Sequence, residues 1–138
     1  MTRTPTRTAF AAIAVATLLA VGCSQKYGAE RDAKKTGEAI CDVRDADSAD
    51  DARSAIEDVE AQLDDLGSKY ALYTAEDRAD IQNNLADLAE HVIQGNVQLV
   101  KQDLAVLERS IDNIREDSNE VSQAAWDGLL EGLADCTQ

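Results

Sequence analysis

Only a few residues in this 138-residue chain could carry covalent, metal or acid–base chemistry: three cysteines (Cys23, Cys41, Cys136), a single histidine (His91) and 27 carboxylates. A serine or thiol nucleophile needs an oriented base, and one histidine gives few options. His91 precedes Val92 in a helical stretch and reads as an exposed or flanking imidazole. No Cys-x-x-Cys is present, so neither a zinc knuckle nor a dithiol redox motif is indicated. The sequence contains no G-x-S-x-G, no H-E-x-x-H and no phosphate-cradling glycine loop. Adjacent acids such as Asp64 and Asp65 suit a solvated helix face better than an acid–base dyad. The acidic run 42–51 offers oxygens from Asp45, Asp47 and Asp50, but it fails as a calcium loop. Positions that would need Asp or Asn, Gly and Glu hold Ala49, Asp50 and Ile56. No metal and no dissociable cofactor are expected.

Cys23 stands apart because of what precedes it. Residues 1–8 carry Arg3 and Arg7 and no acid, and an apolar run follows from Ala9 to Gly22. At about 14 residues the run is short of the ~20 that span a bilayer, and it suits the core of a secretory signal. It ends Leu19-Ala20-Val21-Gly22-Cys23. This resembles the lipobox of bacterial lipoproteins, in which aliphatic and small residues lead to an invariant cysteine. The family favours leucine three residues before that cysteine; here Ala20 holds the position and Leu19 lies one step earlier. The resemblance covers residues 1–23. It implies cleavage between Gly22 and Cys23 and a diacylglycerol on the Cys23 thiol, with fatty acids of the palmitate class. It also implies location in the cell envelope, on the extracytoplasmic side of a membrane. Two or three acyl chains give durable anchoring at ~0.8 kcal/mol per buried methylene. The organisation expected is therefore a signal peptide over 1–22, a lipidated tether over 23–26 and a helical domain over 27–138. The Ala- and Asp-rich composition further resembles that of actinobacterial proteins.

With Cys23 lipidated in an oxidising compartment, Cys41 and Cys136 are left as an even pair, and a disulfide between them is the expected state. It would tie the start of the mature domain to its last turn. Closing so long a loop contributes roughly 4–5 kcal/mol in the chain-entropy model.

The formal charge is −14. Arg3 and Arg7 contribute +2 of it, so residues 23–138 carry −16. Such acidity argues against nucleic acid, whose phosphates would be repelled. The charge is uneven. Lys26, Arg31, Lys34 and Lys35 outweigh Glu30 and Asp32 by +2 over residues 24–35, which leaves −18 from Thr36 onward. A basic stretch beside a lipid anchor would sit favourably on anionic headgroups, and the acidic body would project away from them. Ordinary solvated charge explains the same pattern equally well.

The remaining sequence must position these residues, and it reads as all-α. Its one proline, Pro5, precedes the apolar run, and Ala, Leu, Asp, Glu and Gln dominate. Ala29, Ala33, Thr36, Ile40 and Val43 mark a first helix over 27–43. Ser48 caps a second, with a stripe of Ala52, Ile56, Val59, Leu63, Leu66, Tyr70 and Tyr73, and Gly67 is a candidate early end. Thr74 caps a third, carrying Ile81, Leu85, Leu88 and Val92. Gly95 suits a left-handed cap and Asn96 an N-cap. Then come Val97, Val100, Leu104, Leu107, Ile111 and Ile114. After a polar stretch at 115–119, Trp126, Leu129, Leu133 and Cys136 share one face. Alternating three- and four-residue spacing is that of bundle seams. The architecture expected is a four- or five-helix bundle with short antiparallel connections, closed by one disulfide. Tyr70, Tyr73 and Trp126 are expected in its core.

These readings favour a non-enzymatic, lipid-anchored protein-binding or adaptor domain. Its partner would be an envelope protein such as a membrane sensor, a transporter, a secretion complex or a phage-entry component. A helical carrier or sensor of a small apolar or cationic ligand is the alternative, and an envelope hydrolase ranks last.

Overall fold

A computed structural model describes residues 25–137. They form five helices: α1 over 25–44, α2 Ala49–Tyr70, α3 Ala75–Ile93, α4 Val97–Glu116 and α5 Glu120–Thr137. No strand occurs among the described residues. Cys23 lies outside them, as do the segment 1–22 and the cleavage point at Gly22. Gln25 and Lys26, read as tether, already belong to α1.

Helices α2 to α5 each begin where a short polar side chain satisfies a free amide. Ser48 Oγ accepts from Asp51 N at 3.1 Å, Thr74 Oγ1 from Asp77 N at 3.2 Å and Asn96 Oδ1 from Leu99 N at 3.2 Å. Acids in the first turns of α2 and α3 complement the positive helix end. Asn119 Oδ1 does the same for α5, accepting from Ser122 N at 2.9 Å, a cap hidden within the polar stretch. Gly95 leaves α3 with φ +69°.

Gly67 does not end α2. The helix runs on to Tyr70 and stops at Ala71, whose φ of 49° is left-handed. Gly67 has a packing role instead. A Cβ there would lie 2.6 Å from the Tyr73 hydroxyl, because the chain turns back and lays that ring across the helix. Tyr73 Oη then donates to Leu63 O at 2.5 Å.

Connections of three or four residues alternate the helix directions, so α1 and α5 run parallel. They pack backbone to backbone. A Cβ on Gly128 would overlap Glu30 O, one on Gly132 would overlap Lys34 O, and one on Gly37 would overlap Leu129 O. Small residues at four-residue intervals, Ala29-Ala33-Gly37-Cys41 facing Gly128-Gly132-Cys136, let the two ridges interlock. The seam ends in the Cys41–Cys136 disulfide, with Cα atoms 5.6 Å apart.

The core follows the expected stripes closely. Ile40, Val43, Val59, Leu63, Leu85, Leu88, Leu107, Ile111, Leu129 and Leu133 are fully buried, and Trp126 has no exposed surface. Its Nε1 donates to Leu72 O at 3.3 Å, pinning the α2–α3 connection to α5. Tyr70 and Tyr73 are half-buried against the core. Val97 departs from its stripe. It stands 67% exposed, because the first turn of α4 extends past the end of the core.

Candidate functional site

The alternating helices give the bundle two chemically different ends. At one end lie the start of α1 and the connections 71–74 and 117–119. Contacts across it are polar: Tyr70 Oη donates to Asp32 Oδ2 at 3.1 Å, Ser122 Oγ donates to Tyr70 O at 3.2 Å, and Lys26 pairs with Glu120 at 2.8 Å. A groove of about 560 Å³ opens here, lined by Asp77, Asp80, Asp117, Ser110 and Asn113.

At the opposite end lie the turns 45–48 and 94–96 and the last turn of α5. A second groove, of about 630 Å³, runs between α4 and the disulfide. Val97, Val100, Leu104 and Ala105 of α4 form one wall, while Arg44, Ala46 and Cys136 face them. Ile93, 44% exposed, and Val97 extend apolar surface to the tip. Arg44 shapes this end. Its Nη1 donates to Cys136 O at 2.9 Å, closing the C-terminus of α5, and its Nε pairs with Asp45 at 2.8 Å. Lys101 and Glu108 mark the rim.

The basic residues near the start of α1 are used differently from one another. Lys26 pairs with Glu120, and Lys34 pairs with Glu131 at 3.3 Å, so both face α5. Arg31 lies over the Tyr27 ring, 6.0 Å from its centroid, and Lys35 points to solvent. The sequence placed these four together, and the fold divides them into an inner and an outer pair.

His91 is not an isolated imidazole. Its Nδ1 lies 2.5 Å from Asp103 Oδ2, joining α3 to α4, and both side chains are largely buried. The hydrogen bond to Asp103 raises the His91 pKa above its usual value, against the opposing effect of burial. No serine or threonine hydroxyl among the described residues is hydrogen-bonded to this ring. The pair is suited to holding two helices together.

The acidic run 42–51 is dispersed by the fold. Asp45 pairs with Arg44, Asp50 pairs with Arg53 at 3.6 Å, and Asp51 lies in the first turn of α2, where its amide donates to the Ser48 cap. Among the described residues no group of three or more His, Cys, Asp or Glu is arranged to hold a metal ion. No helix among them is long and apolar enough to cross a membrane.

Three features escaped the sequence reading. The Asp103 partner of His91 lies on another helix, and no local spacing marks it. Arg44 as a cap for α5 depends on tertiary closure. The glycine seam did have a signal, the four-residue period of small residues on α1 and α5. No protein-family model, curated protein or solved structure matches the chain.

Proposed function

We propose that this protein is a lipid-anchored adaptor of the cell envelope, bound to a membrane through Cys23 and engaging a protein partner with the far end of its helical bundle. The observation that carries the reading is the run Leu19-Ala20-Val21-Gly22-Cys23 after a basic and apolar leader. Cys23 lies two residues before the first described residue, so its Cα is within about 7 Å along the chain of the start of α1. The lipid would hold the end where α1 begins. The opposite end, with its apolar groove and exposed Ile93 and Val97, would then face outward at a distance set by the helices. The 22-residue α2 gives that distance as roughly 33 Å. Anchoring favours such a partner, because confinement to one surface raises the effective concentration of two membrane-associated proteins.

The reading is of a binding protein rather than an enzyme. Its one imidazole is committed to Asp103, and the acids of the run 42–51 are dispersed or paired. A carrier of a small cationic ligand is the second reading, favoured by the acidic groove of Asp77, Asp80 and Asp117. Stabilisation by polyamines in a thermal shift assay would support it.

Crosslinking on intact cells tests the adaptor. The wild-type chain, a Cys23→Ala form and a Val97→Asp form are compared, and captured proteins are identified by mass spectrometry. One envelope protein captured by the wild type and lost from both variants supports the reading. Equal capture by all three forms, or none by any, contradicts it.

A further inference from the structure

The outward face of α1 is divided by charge along its length. Tyr27, Arg31 and Lys35 follow one another at four-residue intervals and are all exposed, Tyr27 by 69%. Glu38 and Asp42 continue the same exposed face toward the far end. In a chain of net charge −14, most described cations are taken by acids: Lys26, Lys34, Arg44, Arg53, Lys69, Arg78 and Arg115 each have a carboxylate partner. Among the described residues, no carboxylate lies within ion-pair distance of Arg31 or Lys35. Arg31 instead lies over the exposed Tyr27 ring. Two cations without a carboxylate partner and an exposed aromatic thus share one stripe, within twelve residues of Cys23 in sequence. Aromatic rings and cations of this kind suit the lipid–water boundary, where the ring lies at headgroup depth and the cations meet phosphate.

We infer that the Tyr27–Arg31–Lys35 stripe is a docking face for an anionic lipid surface, which orients the bundle, whereas Lys26 and Lys34 serve the α1–α5 contact. The inference rests on the lipid-anchor reading for its geometry, but not for its chemistry. The bundle would lean on the first half of α1 and lift the acidic half of that face, with Glu38 and Asp42, away from the headgroups.

The test uses the full chain, purified in detergent from whole lysate of a bacterial expression host. It is added to vesicles of phosphatidylcholine alone, or of phosphatidylcholine and phosphatidylglycerol in equal parts. Lysines are labelled by reductive methylation and read by mass spectrometry. On the anionic vesicles Lys35 should label about fivefold more slowly than on the neutral ones, and added salt should restore its rate. Lys101, unpaired but on α4 at the far groove, should label equally on both. Arg31→Gln and Tyr27→Ser, at exposed positions, should reduce the protection of Lys35. Equal labelling of Lys35 on the two surfaces, or equal slowing of Lys35 and Lys101, would overturn the proposal. The mass of the Cys23 peptide from the same sample reports the anchor separately. An unmodified Cys23 with Lys35 still protected would remove the anchor and keep the stripe.

Discussion

Cys41 and Cys136 stand 5.6 Å apart, Cα to Cα, at the end of a seam in which two parallel helices already touch through Gly37, Gly128 and Gly132. Covalent closure and close backbone packing therefore act on the same contact, from different sides of the folding equilibrium. The disulfide restricts the unfolded chain, and the glycines set how closely the folded helices approach.

Replacing both Cys41 and Cys136 by serine should lower stability by roughly 4 kcal/mol, since the bridge closes a loop of sequence separation 95. The seam should persist without it. Far-ultraviolet circular dichroism in buffer should keep its helical signal while the urea midpoint falls. Loss of helix in buffer would mean that the bridge, not the packing, holds α5 in place.

Glycine substitutions should differ in sign. In an exposed helix, glycine to alanine gains up to ~1 kcal/mol. Gly28→Ala should show that gain, since its Cβ would meet only the Tyr70 hydroxyl, at 3.7 Å. Gly132→Ala should instead cost ~2 kcal/mol or more, because the methyl group collides with the backbone of α1. Urea unfolding of the two variants gives the comparison directly.

These cases mark what the sequence made legible. The stripes from Ala29 to Val43 and from Trp126 to Cys136 were readable, because burial repeats with the helix period. So were Ser48, Thr74 and Asn96, whose capping chemistry is local. The disulfide followed from the lipoprotein resemblance. Gly67 was legible only as a candidate helix end, since glycine signals one by its conformational cost, whereas its place under the Tyr73 ring depends on how the chain turns back after α2. Val97 misled because periodicity cannot tell where a core stops. The His91–Asp103 and Arg44–Cys136 contacts depend on which helices become neighbours, and no local pattern encodes that. Lys26, Arg31, Lys34 and Lys35 were legible as a basic cluster, but their division between two faces needed α5 in place.

The His91–Asp103 pair should make stability depend on pH. The folded pKa of His91 lies above the reference 6.5, so the protonated pair stabilises the fold. That contribution is complete below about pH 6.5 and is lost as pH rises through the folded value. A His91→Gln variant should therefore be less stable than the wild type at pH 6, with the difference shrinking toward pH 9. Urea titrations across this range provide the check, and a difference that grows with pH would reverse the assignment.

Trp126 joins the α2–α3 connection to α5 through Leu72 O. Trp126→Phe should cost about 2–4 kcal/mol, combining lost volume with a carbonyl left without its donor. Trp126 is the only tryptophan and is fully buried, so wild-type emission should be blue-shifted and move to the red on unfolding. The variant itself is followed by circular dichroism.

Cys23 decides whether this chain is anchored to a membrane. Mass spectrometry of the N-terminal peptide, taken from the membrane fraction of cells expressing the full chain, tests it directly. The prediction is a chain beginning at Cys23 and carrying a diacylglycerol, with or without a further amide-linked acyl chain. An unmodified Cys23, or a chain that still begins at Met1, would contradict the lipid-anchored reading.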